Sequence, residues 1–137
     1  MWKYYALGSA VFAAATALLS KTGTRGVPSN LATAIRTLVV LVLAWGIVLV
    51  RGESGALRDI PRASLGWLIL SGVATGASWL CYFRALSEGP VSVVAPLDKL
   101  SLPLAVVFGA LLLGEKFSLQ SALALGLIGT GTWLLVK

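Results

Sequence analysis

The sequence predicts an all-α integral membrane protein of five transmembrane helices. Three observations carry this expectation. Apolar residues make up 58% of the 137 positions and charged residues only 12%, whereas a soluble domain carries roughly a quarter charged residues. The apolar residues fall into five long runs, each near the ~20 residues a helix needs to cross a bilayer. Turn-forming residues stand between the runs. Membrane strands are excluded, because a barrel strand spans about ten residues and alternates between its two faces, and these runs do not alternate.

The first span is placed at 4–20, uncharged from Tyr4 to Ser20. Lys3, the apolar stretch after it and Ala15-Thr16-Ala17 also have the layout of a signal peptide, but the segment is read here as a retained span. The second span is 31–50, interrupted only by Arg36. Pro28, Ser29 and Asn30 supply a break and candidate N-caps before it. Gly52, Glu53, Ser54 and Gly55 open the longest loop, which runs to about Arg62. The third span is 63–86, with no charge from Ala63 to Phe83. Glu88, Gly89 and Pro90 end it and start the next. The fourth span is 91–113, interrupted by Asp98 and Lys99. Gly114, Glu115 and Lys116 are expected to form a tight turn, and the fifth span, 117–136, carries no charge. Short connections make successive helices antiparallel neighbours. The chain contains no evident internal repeat, so 1–137 is read as a single transmembrane domain.

The side-chain inventory excludes several chemistries. There is no histidine and one cysteine, Cys81. Neither a disulfide framework nor the usual zinc, haem or copper ligand set can be assembled, and a Ser-His-Asp unit is impossible. The chain is therefore expected to be no enzyme and to use no cofactor and no metal. The net charge of +6 comes from basic residues scattered singly between apolar runs, a pattern that suits lipid headgroups and not nucleic acid.

Five spans put the termini on opposite sides of the membrane. Lys3, Arg51, Arg58, Arg62 and Lys116 fall on one side, and Lys21, Arg25, Arg36, Arg84 and Lys137 on the other. The count is balanced, so the positive-inside rule gives no orientation. A dual topology follows as the expectation, with two copies forming an antiparallel homodimer. A single orientation, set by the clustering of Arg51, Arg58 and Arg62, is the alternative.

Charges inside the spans are the functional evidence. Asp98 and Lys99 lie seven and eight residues into the fourth span, roughly 10–12 Å deep. A charge near the bilayer centre costs on the order of 3 kcal/mol. Neighbouring positions on a helix point about 100° apart, so each charge is expected to find its own partner from another helix, or water, with Arg36 and Arg84 as candidates for Asp98. The competing view is a structural ion pair. Arg36 and Arg84 also lie close enough to span ends to snorkel. Ser71, Thr75, Ser78 and Tyr82 share one face of the third span, either as a polar path or as interhelical packing, and Trp79 is a candidate to flank a ligand. Pro96 and Pro103 bracket the charged pair and predict a kink or hinge. Ala122, Gly126 and Thr130 form a small-residue stripe on the uncharged fifth span, the candidate dimer-packing face.

Three segments carry a family resemblance. They are Ala77-Ser78-Trp79-Leu80-Cys81-Tyr82-Phe83-Arg84-Ala85-Leu86, then Val94-Ala95-Pro96-Leu97-Asp98-Lys99-Leu100-Ser101, then Leu113-Gly114-Glu115-Lys116. The chain resembles an EamA domain of the drug/metabolite transporter superfamily in its short, five-helix form. The resemblance implies one half of an inverted-repeat ten-helix transporter in a prokaryotic cytoplasmic (inner) membrane. The implied activity is movement of a small molecule, usually outward, by alternating access. Related four-helix exporters use a glutamate in their first helix. This chain has no acid there, which leaves Asp98 as the carboxylate for any proton coupling. On this expectation Lys99 and Arg36 bind anionic groups, and Ser71, Thr75, Ser78, Tyr82 and Trp79 line the path. The alternatives are a non-transporting scaffold or accessory subunit, or one half of a heterodimeric transporter.

Overall fold

A computed structural model describes residues 1–114 and 118–137. They form six α-helices: α1 (Trp2–Gly23), α2 (Ser29–Val50), α3 (Arg62–Glu88), α4 (Val91–Asp98), α5 (Ser101–Leu113) and α6 (Leu119–Val136). A short 3-10 helix, Glu53–Asp59, lies between α2 and α3. No strand occurs among the described residues. The turn expected at Glu115 and Lys116, with the first residue of the fifth span, lies outside the described residues.

Among the described residues, four stretches are long and apolar enough to cross a membrane: Ser29–Val50, Arg62–Glu88, Val91–Leu113 and Leu119–Val136. The first expected span, α1, has the length at 22 residues but is not among these four. Alanine is its commonest apolar residue, and Tyr4, Tyr5, Ser9, Thr16 and Ser20 interrupt the apolar run. A methyl group buries far less apolar area than a leucine side chain, so α1 is a weaker lipid-facing helix than the rest.

The described residues fall into two compact units. One comprises Met1–Leu18 and Glu88–Lys137, the other Leu19–Ser87. In the first, α6 packs on α4 and α5, and Val94, Gly109 and Thr132 are buried. Ser118 starts α6: its hydroxyl accepts the backbone N–H of Ser121 at 3.0 Å, which satisfies one of the donors that a helix N-terminus leaves open. In the second unit the 3-10 helix packs on α2, and Phe83 and Leu86 are buried. Gly52 ends α2 at φ 69°, a left-handed conformation that favours glycine. Arg51 beside it pairs with Glu53 at 2.9 Å. The expected N-caps of α2 do not cap. Ser29 already lies in the helix, Pro28 precedes it without a side-chain bond, and the Ser29 carbonyl accepts the Thr33 hydroxyl at 2.9 Å.

Most leucines and valines outside these contacts are exposed. In α2 the run Leu38–Leu43 is exposed throughout, as a helix surface bathed in lipid would be. Cys81, on α3, is exposed as well.

Candidate functional site

The second unit brings together two of the predicted residues, Arg36 and Trp79. Arg36 lies on α2, seven residues after Ser29. Its guanidinium sits over the Trp79 ring at 4.3 Å from the centroid and over the Phe83 ring at 5.3 Å. Trp79 and Phe83 are four residues apart on α3, so both rings present to one side of that helix. The attraction arises from the negative face of each ring. Phe83 is only 2% exposed, and the Tyr82 ring meets it edge-on at 6.3 Å. Phe83 is the residue that sequence reasoning missed. The signal for it was its i+4 spacing from Trp79.

The same end of this unit holds a second basic contact. Lys21 Nζ donates to the Leu86 carbonyl at 2.6 Å. A carbonyl in the last turn of a helix lacks an intrahelical donor, and the ammonium also suits the negative end of the α3 dipole. Arg84 is exposed in the next-to-last turn, and its carbonyl accepts the Ser87 hydroxyl at 2.7 Å.

The polar stripe of α3 is split. Ser71, Thr75 and Ser78 are exposed, while Tyr82 is half-buried. The Thr75 hydroxyl donates to the Ser71 carbonyl at 2.9 Å, a bond back onto its own helix.

The first unit holds Asp98 and Lys99, and here an expectation is overturned. The two side chains pair with each other, Lys99 Nζ to Asp98 Oδ2, at 3.3 Å. The expectation of separate partners rested on the 100° between adjacent helical positions. Two physical facts defeat it. The four-carbon lysine stem is long and flexible enough to fold back, and the backbone is not a regular helix at this point. α4 ends at Asp98 and α5 starts at Ser101. Between them the amides of Lys99, Leu100 and Leu102 donate to the carbonyls of Pro96, Leu97 and Lys99, each at 3.0 Å. These are i→i−3 bonds, the tighter 3-10 pattern. The break falls one turn before Pro103. Proline has no N–H to give the Lys99 carbonyl, and its ring crowds that carbonyl, so Leu102 supplies the bond instead. Pro96 lies inside α4. The fourth span is thus two helices joined by a proline-directed break with an ion pair on it.

On α6, Ala122 is half-buried, and Gly126 and Thr130 are exposed. The Thr130 hydroxyl donates to the Gly126 carbonyl at 2.8 Å, and the space beside Gly126 is open.

No group of three or more metal-ligating side chains occurs among the described residues. What the geometry offers is charge recognition within apolar helices.

Comparison with known proteins gives the context. The EamA-like transporter family matches residues 1–137. The chain belongs to the EamA-like transporter family. A relative from Sinorhizobium sp, named "Uncharacterized transporter in cobO 3'region", is 47% identical over 134 residues, which is 98% of this chain and 95% of the relative. No solved structure matches the chain. The EamA match makes this a membrane transporter by family, and it points away from enzymatic chemistry. Within the EamA chain, Tyr82, Phe83 and Arg84 lie in the last two turns of α3, so the same segment carries the resemblance and the aromatic platform under Arg36.

Proposed function

We propose that this EamA protein exports a small molecule across a prokaryotic cytoplasmic membrane as an antiparallel homodimer. The observation that carries the reading is the family match over the whole length, 1–137. Half-sized chains of this kind reach the inverted-repeat architecture of larger transporters by pairing two copies. The balanced distribution of lysine and arginine supports insertion in both orientations. α1 completes the set of five spans: its 22 residues reach about 33 Å, and its alanine-rich surface suits a helix covered by a second protomer better than one bathed in lipid.

Alternating access would use the break between α4 and α5. Asp98 and Lys99 neutralise each other at that break, so the hinge crosses the membrane interior as a neutral pair. Opening the pair would release a carboxylate able to take up a proton and an ammonium able to meet an anion. Ser71, Thr75, Ser78 and Tyr82 would line the path.

The test has two parts. Reporters active only in the cytoplasm or only in the periplasm are fused after Lys137 in two separate fusion proteins, and comparable signal from both supports dual topology. Purified protein is then reconstituted and loaded vesicles are screened for efflux. Signal from one reporter alone, with no efflux from the single protein, would replace the homodimer with one half of a heterodimeric transporter or an accessory subunit.

A further inference from the structure

We propose that Arg36, held over Trp79 and Phe83, is the receptor for the carboxylate or phosphate of a small anionic substrate. This rests on the transporter reading and adds a substrate class to it.

The inference starts from what Arg36 has and lacks. Its guanidinium remains a cation at any physiological pH and carries five N–H donors in one plane. Among the described residues it makes no hydrogen bond and no ion pair, and its contacts are with aromatic rings. The rings attract the positive charge through their negative faces. A ring offers no lone pair to the N–H donors. A cation held by rings, with no carboxylate or carbonyl on its N–H donors among the described residues, is set up for a bidentate acceptor, and carboxylate and phosphate match that fork.

Depth argues against simple snorkelling. Arg36 lies about 10 Å from the start of α2, and Phe83 and Trp79 lie about 8 and 14 Å from the end of α3. The two rings therefore hold the guanidinium at the level of its own backbone and do not release it to the end of the helix. An uncompensated charge there is costly, and an incoming oxyanion removes that cost. Rigidity favours it too. Phe83 is buried and braced by Tyr82, so binding would spend little on ordering the receptor.

Two sources offer this chemistry, a soluble anion and a phospholipid headgroup, and the experiment separates them. The purified full-length protein, in a non-ionic detergent without anionic lipid, is titrated with benzoate, succinate and inorganic phosphate, with tetraphenylphosphonium as the cationic control. Thermal stability is the readout. The expected result is a saturable rise in Tm with at least one anion and none with the cation. Arg36→Gln should weaken that anion at least tenfold, and Arg36→Lys less, because lysine keeps the charge and loses the fork. Trp79→Leu should weaken it with Arg36 in place. Should Arg36→Gln fail to fold, Arg36→Lys and Trp79→Leu carry the test. An anion response equal in all variants overturns the proposal, as does no response to any of the three anions. In a second arm, nanodiscs of phosphatidylglycerol and of phosphatidylcholine are compared. Arg36-dependent stabilisation by phosphatidylglycerol alone assigns the site to headgroups and overturns the substrate claim. A vesicle flux assay keeps the two readings apart. Transport of a cation or neutral compound unaffected by Arg36→Gln sinks the oxyanion site and leaves the transporter. Arg36-dependent anion binding without any flux does the reverse.

Discussion

Arg36 in the second unit and the Asp98–Lys99 pair in the first solve the same problem in different ways. Each places formal charge inside an apolar span. At the α4–α5 break the charges cancel within one residue step, 3.3 Å apart, where Pro103 has already interrupted the regular helix. At Arg36 the helix stays regular, the charge is not cancelled, and two rings lie against it. The difference teaches that a paired charge and a stacked charge have different remaining capacities. The pair has used its complementarity on itself. The stacked guanidinium has kept its hydrogen bonds for something else.

The largest test of this contrast is Phe83→Ala. Phe83 is buried and supports both Arg36 and Tyr82, so its truncation should cost about 3–5 kcal/mol, read as a fall in the thermal midpoint of unfolding in detergent. An effect below about 1 kcal/mol would mean the platform does not hold the second unit together. Next is a double-mutant cycle between Arg36→Gln and Trp79→Leu. A desolvated stack should give a coupling energy of ~1–2 kcal/mol, and zero coupling would show that the ring and the cation act independently. The same cycle on Asp98→Asn and Lys99→Gln should return less, ~1 kcal/mol or below in detergent, because this pair is partly exposed (side chains 36% and 51%). A coupling above the Arg36–Trp79 value would reverse the comparison. Smallest in stability is Pro103→Ala. It restores an amide that can donate to the Lys99 carbonyl, so the segment from Lys99 to Leu102 should become continuous helix. Hydrogen exchange of these amides should slow, with little change in the melting temperature, and unchanged exchange would locate the cause of the break elsewhere.

Much of the fold is legible in the sequence because its signals are local. The end of α3 at Glu88 and the start of α4 at Val91 follow from Gly89-Pro90, and the break before Pro103 follows from a missing N–H. The starts of α2 and α6 are displaced by two residues from those expected, since the expected starts at 31 and 117 ignore where backbone donors are satisfied. The 3-10 helix over Glu53–Asp59 escapes notice because seven residues with Gly55 inside them show no apolar period. The site is less legible. Asp98 and Lys99 are conspicuous as charges, but their mutual pairing depends on side-chain reach and on the local 3-10 turn, neither of which a helical wheel contains. Arg36 and Trp79 are separately visible as candidates. Their meeting is a contact between residues more than forty positions apart, and no spacing rule within one helix encodes it.

Cys81 gives the stacked site a practical consequence. It lies two residues from both Trp79 and Phe83 on α3, about 200° around the helix from each, and its thiol is exposed. The wild-type chain thus carries a unique attachment point on the back of the helix whose front holds the aromatic platform. A nitroxide or fluorophore attached there would follow the motion of α3 during turnover without displacing either ring. In an assembled pair of chains, the same two labels would act as a molecular ruler, obtained without removing or adding a single residue.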